Sequence, residues 1–369
     1  MFREKVETVR AFKTYTALIC LWLAGCTHIG PGTILSDRTA LVESLGSSWN
    51  KQLLLDLVKV RYMEFPVFVD VGQIVAGYTL GSASQWTLTR VFGQTPSSDF
   101  QTLLNIFGAG TYSDRPTITY TPLTGARFQK NLMSPIPPRA ILFMLQAGYA
   151  ADLILGMCVD SINDLQNRSV LGGRWLPGNP GFFRLIELLR NLQAAGGIRM
   201  IIRQDKEKGE AALIAVGEKR LDPESEAAVK EIEELLGVRP GLKEYKVVYG
   251  NVPGADDEVA MLTRSVLRIL IELASHVEVP EEHLEEGRAL RLPLEEAEKE
   301  GAGKHLITIR SGKSAPADAL VAMHYRGYWF WIDDKDLMSK RTFAAMVLFF
   351  TISEVGEQAA PPVLTIPTQ

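Results

Sequence analysis

Cysteine is scarce: the 369 residues hold three, at positions 20, 26 and 158. No disulfide framework can be built on so few. Histidine is almost as rare. His28, His276, His283, His305 and His324 show no zinc spacing, and no H-E-x-x-H occurs. A G-x-S-x-G elbow and a defensible Cys-His arrangement are also missing. No surplus of basic charge exists: the formal net charge is −4, so the electrostatic footprint of a nucleic-acid binder is absent. No apolar run is long and clean enough to span a membrane as a helix, which takes about 20 residues. The most apolar part, 134–168, is broken by Gln146, Asp152 and Asp160. Internal repeats are lacking too. These absences exclude nucleic-acid binding and the familiar local catalytic motifs, although a triad of residues distant in sequence leaves no local signature.

What is present is an ordinary globular composition, 46% hydrophobic and 22% charged, in a chain long enough for two or three packing units. The N-terminus is the most specific segment. Residues 1–13 are charged and net positive, although Glu4 and Glu7 make them mixed. A short apolar stretch from Thr14 to Ala24 suits a signal-peptide core. It ends in Leu23-Ala24-Gly25-Cys26. Small residues before a cysteine let a signal peptidase bind the extended chain, and the thiol is the nucleophile that can take a diacylglycerol. These four residues resemble the bacterial lipobox. The resemblance implies cleavage before Cys26, a thioether-linked lipid on it, and attachment to a membrane. In lipoproteins of the enteric type an Asp after the cysteine retains the protein in the inner membrane; Thr27 stands there instead, which favours the outer membrane. The leader carries a net +2, so −6 remains on the rest. Cys20 would leave with it and Cys26 would be acylated. Only Cys158 then remains, inside an apolar run that reads as a buried structural thiol.

Periodicity predicts the following layout. A tether over 26–35 leads to a helix with Val42, Leu45, Trp49, Leu53, Leu57 and Val60 on one stripe. Val67, Val69 and Val71 then alternate as in a strand, with a bulge near Gly72. Gly81-Ser82-Ala83-Ser84 reads as a turn and Trp86–Val91 as the returning strand; Arg115–Thr121 is another candidate. Pro137-Pro138 opens a helix broken at Gly148, and a second helix is expected from Ala150 to about Asn167. Phe182, Leu185, Ile186, Leu189 and Leu192 form a helical stripe closed by Gly196-Gly197. Strands follow at Ile198–Arg203 and Ala211–Val216. A helix starts at Asp222-Pro223 and stops at Gly237, and Tyr245–Tyr249 is a strand. With one more strand this α-β-β-α-β run would make a split β-α-β, ferredoxin-like unit. Met261–Ala274 reads as helix. His305–Arg310, Ala319–Tyr325 and Tyr328–Ile332 read as strands, the last two joined by Arg326-Gly327. A helix from about Lys340 to Val355 and a short strand Val363–Ile366 close the chain. The expected fold class is α+β, mixed helices with small antiparallel or mixed sheets. The expected divisions are a signal peptide at 1–25, a tether at 26–35 and a helical and β-hairpin unit at 36–175. The α-β-β-α-β unit at 176–276, a charged linker or solvated segment at 277–304 and a hairpin-plus-helix unit at 305–369 follow.

Three constellations stand out. Gly301-Ala302-Gly303-Lys304 resembles half a phosphate loop, but it precedes a strand rather than a helix and has no Ser or Thr for a metal, so it reads as a loop. Asp333, Asp334 and Asp336 offer carboxylates to a hard cation, yet Asp is also the ordinary residue for turning a strand into a capped helix. Tyr325-Arg326-Gly327-Tyr328-Trp329-Phe330-Trp331 is an aromatic hairpin. Trp329 and Trp331 share one strand face, Tyr328, Phe330 and Ile332 the other. Both faces covered is the favoured arrangement; the alternative makes Trp329 and Trp331 a platform for a glycan or a partner protein.

Two stretches carry a wider resemblance. One is Gln52–Tyr62 with Pro66-Val67-Phe68-Val69, continuing to Pro135-Ile136-Pro137-Pro138. The other is Tyr325–Asp334 with Ser339-Lys340-Arg341-Thr342-Phe343. They resemble an uncharacterised family of predicted bacterial lipoproteins of outer-membrane type, over the first and last parts of the chain beyond Cys26. The resemblance implies no activity and carries no catalytic residues. The functional expectation is therefore a lipid-anchored envelope lipoprotein with a structural or protein-binding role, an envelope protein as partner, and no cofactor. The alternative is a periplasm-facing enzyme or glycan-binding protein using the aromatic hairpin and nearby carboxylates. A deep cleft with convergent carboxylates would favour the enzyme; a flat apolar patch would favour the binder.

Overall fold

The computed structural model describes residues 31–75, 78–90, 102–114, 117–171, 174–205, 209–216, 222–293 and 305–353. Leu23, Ala24, Gly25 and Cys26 lie outside these residues, as do Gly301–Lys304 and the expected strand Val363–Ile366. The chain is α+β, with helices and small antiparallel or mixed sheets. Its contacts divide it at points other than those the composition suggests. One unit joins the chain up to Glu64 with the chain from Pro135 onward; the other is Phe65–Ser134.

In the larger unit, helix α1 (Pro31–Arg61) is much longer than its stripe requires. Leu53, Leu54, Leu57 and Val58 are buried, whereas Val42 and Trp49, on the same expected stripe, are 62% and 41% exposed. The apolar stripe is therefore covered only over its second half. Helices α3 (Pro138–Gln146), α4 (Ala151–Cys158), α5 (Pro180–Ala195), α6 (Pro223–Leu236) and α7 (Val266–Ala274) pack around a six-stranded sheet. Its order is β6-β5-β12-β11-β10-β9, from β5 (Val159–Ile162), β6 (Leu165–Gln166), β9 (Ile198–Asp205), β10 (Gly209–Val216), β11 (Glu244–Tyr249) and β12 (Glu258–Thr263). Local chemistry sets the ends of α5 and α6. Asn179 and Asp222 accept the Gly181 and Ser225 N–H groups, Pro180 and Pro223 follow the caps, and Gly196 and Gly237 stop the helices at φ +71° and +63°. The expected split β-α-β, ferredoxin-like unit does not form, because the extra strand, β12, joins outside β11. It lies parallel to β11, while β11 pairs antiparallel directly with β10. Helix α6 thus returns the chain to a neighbouring strand, with none between.

Two helical expectations are corrected here. Met261–Thr263 belongs to β12, and the helix begins only after Ser265, whose side chain accepts from Arg268 N. The second helix of the pair from Ala150 ends at Cys158, and Val159–Ile162 is strand. Both strands are buried on nearly every residue, so neither shows the alternation of buried and exposed positions that marks a half-exposed strand.

The C-terminal part has β13 (Arg310–Gly312), β14 (Ala319–Tyr325) and β15 (Tyr328–Asp333) in the order β13-β15-β14, followed by α9 (Leu337–Ser353). The expected strand at His305–Arg310 is thus shorter and later. In the described part of the charged 277–304 segment Glu281, Glu282, Glu285 and Glu286 are exposed, as a solvated face requires, while His283 and Ala289 are buried. Helix α8 (Glu281–Glu285) buries His283 against Tyr62, with Tyr62 Oη 2.6 Å from His283 Nδ1. Arg61 donates to the Leu290 carbonyl, so the end of α1 holds this segment from two sides.

The smaller unit contains β1 (Val69–Val75), β2 (Tyr78–Arg90), β3 (Thr102–Asp114), β4 (Thr117–Pro122) and α2 (Gly125–Phe128), which runs into a π-helical turn Gln129–Met133. β1 pairs with β4, and β2 with β3, all antiparallel. The irregularity between Val71 and Gln73 is the bulge expected at Gly72. The turn expected at Gly81–Ser84 is corrected: these residues are mid-strand, opposite Thr111, Gly110, Ala109 and Gly108. Small residues on one strand meet small residues on the other, a long-range match that local composition cannot show.

Candidate functional site

The aromatic hairpin forms as its turn chemistry dictates. Arg326 and Gly327 take φ +48° and +87°, the left-handed pair that suits a two-residue hairpin loop. Phe330 and Ile332 are fully buried and make the core face. Trp329 and Trp331, on the opposite face, are each half-buried. The Trp329 ring meets His324 edge-on at 5.6 Å. A Cβ on Gly312 would come 3.2 Å from the Trp331 ring, so the glycine lets the indole lie against β13. The face is neither fully enclosed core nor an open platform.

Carboxylates stand beside this hairpin. Tyr325 donates to Glu64 at 2.6 Å and Tyr328 donates to Glu282 at 2.7 Å. Arg326 also pairs with Glu64 and covers the Tyr62 and Tyr325 rings at 5.5 and 5.6 Å. The Tyr325 hydroxyl first, then Arg326, holds Glu64 below the usual carboxylate range; the Tyr328 hydroxyl and Lys313 do the same to Glu282. Glycoside hydrolysis needs one carboxyl raised so that it can donate a proton. Both carboxylates here are stabilised as anions, which suits binding rather than acid catalysis.

Asp333, Asp334 and Asp336 point to separate tasks. Asp333 accepts from Lys335 N, Asp334 from Lys340 Nζ, and Asp336 from both the N–H and the hydroxyl of Ser339. Asp336 caps α9, Asp333 closes the turn before it, and Asp334 forms an ion pair. Among the described residues no group of three or more His, Cys, Asp or Glu is placed to hold a metal ion. Cys158 is fully buried, and burial pushes its thiol up and out of the reactive range.

Sequence reasoning missed a second locus. A cleft of about 560 Å³ is lined by Asp152, Arg168, Arg190, His305 and Arg341, with Asn167 and Asn191 among the others. His305 Nδ1 lies 2.9 Å from Nδ1 of the buried His276. Behind them Arg168 pairs with the buried Glu272 at 3.4 Å. At the rim Arg190 grips both oxygens of Asp152 at 2.7 and 2.8 Å. Asn167 donates its amide N–H groups to the Gly156 and Val159 carbonyls, which leaves its buried Oδ1 without a partner. The described lining is polar and charged on one side, with Asp152, Glu187, Arg168, Arg190, Arg341 and His305, and supplies groups for polar recognition. His276 and His305 are 29 residues apart, and no local spacing announces them.

The histidines give the fold a pH dependence. Burial first, then Arg168 and His305, holds His276 well below its ordinary 6.5. His283 is lowered as well, by burial and then by Arg288. The folded chain keeps both rings neutral, whereas the unfolded chain takes up protons below 6.5. Their contribution is full above that pH and is lost as pH falls toward the folded values. Thermal melts across about pH 8 to pH 5 should show Tm declining below about 6.5, with a shallower decline in His276→Phe. A Tm independent of pH across that window contradicts this.

Comparisons with protein-family models, with curated proteins and with solved structures return no match to this chain.

Proposed function

We propose that the chain is an envelope lipoprotein, held to a membrane by a diacylglycerol on Cys26, with a structural or protein-binding role. The outer membrane is the proposed location, since Thr27 follows the cysteine. The observation that carries this is Leu23-Ala24-Gly25-Cys26 at the end of a short apolar stretch behind a charged segment. Supporting it, the described thiol beyond Cys26 is buried and inert. No helix of the described residues is long and apolar enough to cross a membrane. The test is metabolic labelling with a fatty-acid probe. Wild type takes the label and Cys26→Ser loses it, because serine accepts no thioether; equal labelling of both removes the proposal.

A second reading rests on Trp329 and Trp331. Two half-buried indoles on one strand face suit stacking on the ring of a glycan. This would be binding without hydrolysis.

A further inference from the structure

The smaller unit holds a feature that neither the anchor nor the aromatic hairpin uses. β2 and β3 pair residue for residue from Tyr78 opposite Asp114 to Arg90 opposite Thr102. The same register continues through Val75 opposite Thr117 to Gln73 opposite Thr119. β2 and β3, thirteen residues each, alone make a ribbon of roughly 40 Å at the usual rise of a strand. β2 and β3 form a sheet of two, with no third strand among the described residues. Among the described residues neither outer edge has a strand beside it, and a lone two-stranded ribbon is at best marginally stable in water.

Its sequence is unlike the rest of the chain. Residues 71–113 contain two charged residues, Arg90 and Asp99, in a protein that is 22% charged. Tyr78–Thr89 and Thr102–Ser113 have none, and charge reappears at Arg90 and Asp114, where the strands end. A strand that crosses a bilayer needs about 9–11 residues; each of these uncharged stretches has twelve. Alternation divides them into two faces. On one, Tyr78, Leu80, Trp86 and Leu88 stand opposite Asp114, Tyr112, Ile106 and Leu104, with Ser and Gly between. On the other are Thr79, Gln85, Thr87 and Thr89, opposite Ser113, Phe107, Asn105 and Leu103, with Gly and Ala between. The apolar face has aromatic residues toward both ends. Tyr78 to Leu88 spans about 33 Å along the strand, or about 25 Å after the usual tilt, which is the height of the lipid-facing band of outer-membrane barrels.

We propose that this ribbon crosses a membrane as part of a β-barrel closed by the same ribbon from other copies of the chain. Hydrocarbon tolerates no open strand edge, so the ribbon must be closed by further strands. Its two edges are equally long, thirteen residues each, one from β2 and one from β3. Setting β2 of one copy beside β3 of the next leaves no strand unpaired, and repetition of that contact closes a ring. Barrels start at about eight strands, which means about four copies or more. The Thr-rich face then lines the lumen and the apolar face meets lipid. The inference rests on the envelope location proposed for the chain, and gives the structural role a form: a pore or conduit built by self-assembly.

A single-cysteine scan of the full-length protein in its native membranes tests it, using a membrane-impermeant maleimide with access to both sides. The described residues hold one native thiol, buried Cys158, and acylation would consume Cys26. Cysteines at Thr79, Ala83, Gln85 and Thr87 should label, and those at Leu80, Trp86 and Leu88 should label at least about tenfold less, the period-two signature of a barrel wall. The detergent-extracted assembly should have the mass of several chains. Equal labelling at all seven positions, labelling at none, or the mass of a single chain each overturns the proposal. The anchor is read separately by the fatty-acid probe. Label on Cys26 without alternation sinks the barrel alone; alternation without label sinks the anchor alone.

Discussion

Arg264→Ala should cost about 3–5 kcal/mol of folding free energy, the range for removing one partner of a buried charge pair. Arg264 is 1% exposed and is the largest fully buried side chain. Its Nε donates to Asp160 at 2.7 Å, its Nη1 reaches the Gly156 and Met157 carbonyls, and its Nη2 donates to the Arg168 carbonyl. Its backbone N–H takes the Cys158 carbonyl at 2.7 Å. Gly156, Met157 and Cys158 end α4, where carbonyls have no partner inside the helix and the dipole is negative. One residue from β12's end thus caps a helix more than a hundred positions earlier. Truncation removes the side-chain donor from the Met157 and Arg168 carbonyls in the core and leaves Asp160 without its main cation, while Gly156 keeps its bond from Asn167. Arg264→Lys keeps the charge but not the planar fork, and should recover part of the loss. Urea unfolding of the two variants decides it: a midpoint for Arg264→Ala equal to wild type contradicts the cap.

The second large effect concerns the aromatic hairpin, and it separates its two faces. Phe330→Ala should cost about 3–5 kcal/mol, as for a buried aromatic whose cavity cannot collapse. Phe330 is wholly enclosed and meets Tyr62 edge-on at 6.2 Å. Trp329→Ala and Trp331→Ala remove half-buried rings, and each should cost about 2 kcal/mol or less by the area they cover. If the Trp face also binds a glycan, one of these variants should retain most of its Tm and lose that binding. Thermal denaturation of the three single variants is the measurement. A Trp variant that destabilises as strongly as Phe330→Ala would place that indole in the core and remove the platform.

How much of this was legible in the sequence depends on the range of the interaction. The caps and stops of α5 and α6 are local: Asn179-Pro180 and Gly196, Asp222-Pro223 and Gly237 carry their own geometry. So do the Arg326-Gly327 turn and the irregularity at Gly72. Elements that depend on distant partners were misread. Val159–Ile162 and Met261–Thr263 are central strands buried at nearly every residue, so no alternation of buried and exposed positions separates them from the helices beside them. Gly81–Ser84 reads as a turn until Gly108–Thr111 is set across from it. The candidate sites divide in the same way. Asp333 and Asp336 form the turn and cap that their position suggests, whereas the cleft with Arg168 and His305, backed by His276, assembles segments from distant parts of the chain. The uncharged alternation of β2 and β3 was visible in the sequence, but only the register shows which residues share a face.

The central claim is the lipid on Cys26, and mass spectrometry of the mature N-terminus tests it most directly. Protein extracted from native membranes and digested should yield an N-terminal peptide that begins at Cys26 and carries the mass of a diacylglycerol thioether. An N-terminal peptide that begins elsewhere, or an unmodified Cys26, would contradict it.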